Sequence, residues 1–274
     1  MSFPSTSAAR NSLGRAAAVL AASLLPAAAA AAQAAPPDTV RCPSVAALSR
    51  SSDGERVYFC AGALIAPRWI LTAAHCFHSP GGVRIGREGI AAEVGAGLLR
   101  DVPRQAQVAV ARIVVHPAYR PDSQANDIAL VELAEDAGPL VVEIAPGRPG
   151  EDPAEAIVLG FGSFFEGRLA ANALSGSGAP AAQLSDRLRQ AAVRLLDPAS
   201  CAASETSQIC AGAGPDTNCV GDSGGPLVVE AADRTDRLAG IVSDGSGCAA
   251  ARPVTIYTRV SAYAPWIAAT IGGR

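Results

Sequence analysis

Apolar residues occur along this chain in short bursts, each closed by glycine, proline or aspartate. VYFCAGALIAPRWILTAAHC (57–76) reads as two strands joined at Ala66-Pro67-Arg68. QVAVARIVVHP, DIALVEL, EAIVLGFG, PLVVE, RLAGIVS and VTIYTRV continue the series. Many short strands separated by turn residues predict an all-β barrel or sandwich. GPLVVEIAPGRPGEDP (138–153) is rich in proline, glycine and charge and reads as the connection between two halves. SFFEGRLAANALSGSGAP (163–180) reads as a mobile surface loop. Helical periodicity is convincing only at the end. There Tyr263, Trp266, Ile267, Thr270 and Ile271 share one face, with Ser261 placed to cap the start and Gly272-Gly273 to end it.

The beginning of the chain breaks this pattern. Arg10 and Arg15 precede AAAVLAASLL (16–25), and Ala32-Gln33-Ala34 forms a small-residue cleavage site. Residues 1–34 therefore read as an export signal, and the apolar run is too short and alanine-rich for a membrane anchor. Its removal takes away two arginines and no acid, moving the formal net charge from -3 to -5. A chain of 274 residues that is 49% apolar and 17% charged can bury a full core, and its acidity argues against nucleic-acid binding. All 22 basic residues are arginine, which with the heavy alanine usage points to a GC-rich bacterial genome. Seven cysteines in an exported chain point to disulfides. Neither a C-x-x-C pair nor ligand spacing among the three histidines suggests a metal site, so no metal or other cofactor is expected.

The candidate chemistry begins at NCVGDSGGPLVV (218–229), where glycines and an aspartate bracket Ser223. Read alone, this is equally a glycine-rich turn into a strand or an exposed serine whose neighbouring amides can bind an oxyanion. A serine hydroxyl needs a base to act as a nucleophile, and the chain has no lysine. His75, in LTAAHCF, follows a strand and adjoins Cys76, whose bridge would pin the backbone beside the imidazole. Asp127 opens DIALVEL, a strand that reads as buried on both faces. A carboxylate entering a core needs a partner, and an imidazole N–H is one.

LTAAHC, NDIALVEL and GDSGGPL, in this order, resemble the chymotrypsin-like (trypsin-fold) serine proteases, and the likeness runs from about Pro43 to Ile271. The resemblance implies two six-stranded antiparallel β-barrels, about 43–150 and 151–260, an active site in the cleft between them, and a C-terminal α-helix over 261–272. It implies that His75 is the general base, Asp127 its orienter and Ser223 the nucleophile. The N–H groups of Gly221 and Ser223 would form the oxyanion hole. Ser243 would hydrogen-bond the buried aspartate. The family pairing of cysteines would be Cys60–Cys76, Cys201–Cys210 and Cys219–Cys248, leaving Cys42 over. His116, in VVHPAY, matches a structural strand-end motif, and His78 has no assigned role. Glu88 and Glu93 do not fall at the positions of the calcium loop some members carry.

Three features depart from the family pattern. No Ile-Val-Gly-Gly-like start precedes Pro43, so activity is expected without further cleavage, with Asp222 held inside the second barrel. Asp244 replaces the aromatic usual after Ser243. Thr217 stands where trypsins carry the pocket aspartate, and Thr255 stands where a glycine keeps the pocket deep. Together with Asn218, Ser243, Asp244 and Gly245, these residues are expected to bind substrate in a neutral pocket. A one-residue loop shift would instead bring Asp216 to the base and favour cleavage after arginine or lysine. The expected protein is a secreted, extracellular or periplasmic endopeptidase, a monomer acting on protein or peptide and on neither nucleic acid nor membrane. A silent binding module on the same fold and a serine esterase are the alternatives.

Overall fold

A computed structural model describes residues 43–52, 55–79, 81–95, 97, 107–147, 153–161, 187–204, 206–212, 223–245 and 254–273. The signal-like start, Cys42 and the 163–180 loop lie outside them. The first half folds as β1 (Val45–Ser52), β2 (Glu55–Ala66), β3 (Trp69–Thr72), β4 (Ile90–Val94), β5 (Val108–Val115) and β6 (Ala129–Leu133). These close into an antiparallel barrel in the order β1-β2-β3-β6-β5-β4. The turn at Pro67-Arg68 joins β2 to β3 where the sequence predicts it.

The second half contributes β7 (Glu143–Ile144), β8 (Glu155–Gly160), β9 (Arg189–Leu196), β10 (Gln208–Gly212), β11 (Pro226–Glu230), β12 (Asp236–Gly245) and β13 (Val254–Arg259). The order β11-β8-β9-β10-β13-β12 closes through β11–β12 pairing into a second six-stranded antiparallel barrel. β7, drawn from the predicted connection, adds to β12 in parallel. Closure leaves few unpaired edges.

Every residue of β6 is buried, as its unbroken apolar run predicts. Glu132 is tolerated within it because Arg112 Nε donates to Oε2 at 2.9 Å, and the same guanidinium lies 5.3 Å from the Trp69 ring centre. β9 follows the opposite rule. Ala191 and Val193 point inward while Ala192 and Arg194 are exposed, the alternation of a half-buried strand.

The C-terminal segment begins as a 3-10 turn, Val260–Tyr263, and becomes α1 (Ala264–Gly272), three residues later than the sequence predicts. Ser261 does not cap the helix. Its hydroxyl donates to the Gly147 carbonyl at 2.7 Å, fastening the turn to the connection between the barrels. Ile267 is 4% exposed, a burial worth about 2 kcal/mol. Tyr263 and Trp266 meet the His116 ring edge-on at 5.1 and 5.0 Å, so the helix is docked on the first barrel although it follows the second.

Candidate active site

His75 opens a 3-10 turn, His75–Phe77, directly after β3. The Cys60–Cys76 disulfide ties this turn to β2, with the two Cα atoms 6.2 Å apart. His78 braces it from the other end: its Nδ1 lies 2.9 Å from the Ala74 carbonyl, and its ring lies 5.0 Å from that of Tyr119. The bond to Ala74 makes Nδ1 the donor, which supplies the role the sequence leaves blank. Cys60, His75 and Cys76 cluster closely enough to suggest metal ligands, but the disulfide consumes both sulfurs.

Asp127 lies in the turn before β6, following Asn126 at φ 56°. It is completely buried and fully engaged. Oδ1 accepts the His75 backbone N–H at 2.8 Å, and Oδ2 lies 2.7 Å from His75 Nδ1. Ser243, on β12 of the other barrel, donates to the same Oδ2 at 2.6 Å. Thr258 on β13 donates to the Asp127 carbonyl at 2.8 Å, and Tyr263 donates to Asn126 Oδ1 at 3.0 Å. A carboxylate at Nδ1 places the imidazole proton there and leaves the lone pair on Nε2. Burial and then the Asp127 charge push the nearby Tyr119 hydroxyl up to about 12.

Ser223 sits in the turn before β11, where its carbonyl accepts the Ala61 N–H of β2 at 2.9 Å. Gly224 follows at φ +80°, where a Cβ would collide with Thr72 Oγ1 and the Ala61 carbonyl. Thr72 Oγ1 already donates to that carbonyl at 2.6 Å. The serine turn is thus pressed against β2, which carries Cys60, and β3, which leads into the His75 turn. Ser223 and His75 line one cleft of about 500 Å³. Neither Thr72 nor Thr258 stands out in sequence: the first bonds a backbone carbonyl on the neighbouring strand and the second one across the barrels, and nothing local announces either.

The other expected site residues divide. Ser243 is buried and Asp244 exposed, while Thr255 on β13 pairs with Gly245 on β12. Thr255 also hydrogen-bonds the Tyr257 hydroxyl, which burial pushes well above its usual range. Asp216, Thr217, Asn218, Gly221 and Asp222 lie outside the described residues, as does the expected Cys219–Cys248 bridge. Cys201–Cys210 is formed. Glu93 is enclosed by donors, with Oε1 2.6 Å from Arg56 Nη1, 2.6 Å from Gln107 Nε2 and 3.2 Å from Ser49 Oγ. Those donors leave that oxygen poorly suited to a cation, while Glu88 is exposed.

Residues 34–267 match the trypsin family. Over 234 residues, 77% of this chain, it is 35% identical to coagulation factor XII of Bos taurus, but that stretch is only 35% of the relative. It is 31% identical to trypsin-3 of Salmo salar, covering 84% of this chain and 90% of the other. Proproteinase E of Bos taurus is also 31% identical, over 82% and 88% of the two chains. The chain therefore spans about a third of the coagulation factor and most of the two shorter relatives. Because the family match runs through both barrels, the chain belongs to the trypsin family of chymotrypsin-like serine proteases.

Proposed function

We propose that the chain is a secreted serine endopeptidase whose nucleophile is Ser223, general base His75 and orienting acid Asp127. The observation that carries this is the contact of 2.7 Å between His75 Nδ1 and a buried Asp127, in a cleft shared with Ser223. Nε2 takes the serine proton as Oγ attacks the peptide carbonyl. Amides of Gly221 and Ser223 hold the oxyanion, an assignment supported by the GDSGGPL motif. His75 then returns the proton to the departing amine, and water releases the acyl group by the same steps in reverse.

The signal-like start and the two disulfides among the described residues support export, to the extracellular space or periplasm. Substrates are proteins or peptides, cleaved after small or medium uncharged side chains. Thr217 and Thr255 support that preference, with Thr255 already bonded to Tyr257. A bacterial source is supported by the lysine-free, alanine-rich composition alone, and the relatives named above are vertebrate. Ser223→Ala or His75→Ala lowers peptide turnover by about a million-fold in this reading. Near-normal turnover in either variant overturns it.

A further inference from the structure

His75 and Ser223 share their cleft with first-barrel residues. Val57 lines it from β2 and is 52% exposed, an unusual position for a large apolar side chain. Phe59, two residues along the same strand, is steadied edge-on by Phe77, with ring centres 6.4 Å apart. Ile85 lines it from the loop before β4, where its N–H donates to the Phe77 carbonyl at 2.8 Å. Arg50 adds a cation: Nη2 donates to the Gly86 carbonyl at 3.2 Å, and Nε is buried with no partner among the described residues.

The side of the scissile bond that this cleft serves follows from proton transfer. His75 must reach the leaving nitrogen to protonate it, so the segment after the scissile bond departs on the His75 side. Ser243, Asp244 and Thr255, expected to hold the acyl side, belong to β12 and β13, and none of them lines this cleft. We infer that the cleft is a leaving-side subsite selecting an apolar residue directly after the scissile bond, with Arg50 favouring a carboxylate over a cation beyond it. The inference rests on Ser223 being the acylated nucleophile.

Acyl transfer tests it without involving the acyl-side pocket. An N-acyl amino-acid ester that the enzyme turns over supplies the acyl-enzyme, and amino-acid amides compete with water for it. The amine nitrogen forms the new amide bond, the Ser223 ester bond breaks, and the nitrogen's proton passes through His75 to the serine oxygen. Leucine amide is expected to capture the acyl group about tenfold more efficiently than glycine amide. Leu-Asp amide is expected to exceed Leu-Arg amide by about threefold. Val57→Ser, a surface change, should shrink the first ratio, and Arg50→Gln the second. Equal capture of leucine and glycine amides, or ratios unmoved by the substitutions, overturns the inference while leaving the hydrolase intact. Absence of both ester turnover and serine acylation overturns the hydrolase reading and this inference with it.

Discussion

Ser243 Oγ, on the second barrel, donates at 2.6 Å to the Asp127 oxygen that faces His75 Nδ1 on the first. The carboxylate that orients the imidazole is therefore itself oriented from across the cleft. Ser243→Ala leaves that oxygen one donor short in a dry site, and should cost about 1–3 kcal/mol of stability. In an active hydrolase kcat should also fall about tenfold, with KM changed less. Denaturant titration and steady-state kinetics check both, and an unchanged kcat would mean that the bond supports the fold only.

Gly224→Ala tests how closely the serine turn is packed. At φ +80° a side chain is strained, and its Cβ would overlap Thr72 Oγ1 and the Ala61 carbonyl. The left-handed conformation costs about 1–2 kcal/mol, and overpacking adds about 1–3 kcal/mol. The expected result is a lower melting temperature together with lost Ser223 reactivity. Full stability in the variant would show that the turn can move away from β2.

Acid should loosen the helix dock through His116. Its Nδ1 accepts the Ala118 N–H at 3.2 Å, and its ring is wedged against Tyr263 and Trp266. Burial holds its pKa below the ordinary value of 6.5, so the fold favours the neutral ring. The stabilisation is complete above the ordinary value and is lost as pH falls through the lowered one. Proton NMR should find His116 titrating below 6.5, and His116→Phe should flatten the stability profile in that window. A titration above 6.5 would contradict the burial argument.

Arg56→Ala should destabilise the first barrel in a pH-dependent way. Desolvation raises the Glu93 pKa despite the opposing Arg56 charge, and removing Arg56 raises it further. At neutral pH the variant leaves an under-compensated buried carboxylate, a cost of about 3 kcal/mol. That cost should shrink as pH falls through the raised Glu93 value, because the protonated acid no longer needs the guanidinium. Urea melts at neutral and acid pH measure the difference, and a cost that does not change with pH would rule out the ionised Glu93 as its source.

Much of the fold was legible because barrel strands leave strong local patterns. β2, β3, β5, β6, β8, β11, β12 and β13 all fall on the apolar runs read from sequence. β1, β4, β7, β9 and β10 escaped that reading. β1 ends in polar residues, β4 is alanine-rich and carries Glu93, β9 is interrupted by Arg189 and Arg194, and β10 has one β-branched residue, Ile209, among glutamine, cysteine, alanine and glycine. β7 has only two residues, and its partner β12 lies far along the chain. At the site, His75 and Asp127 were legible as a pair because a buried carboxylate demands a donor. The pairing of Ser243 with Asp127, 116 residues apart, came from family resemblance alone. Thr258 left no trace in sequence, since its hydroxyl meets a backbone carbonyl whose position only the closed barrels determine.

The central claim is that Ser223 is a nucleophile activated by His75. Labelling with a serine-directed phosphonate, located by peptide mass spectrometry, tests it most directly. One phosphonyl group per chain is expected on Ser223, with labelling abolished in Ser223→Ala and strongly slowed in His75→Ala. Label on a different residue, or a His75→Ala chain that labels at the normal rate, would contradict the account.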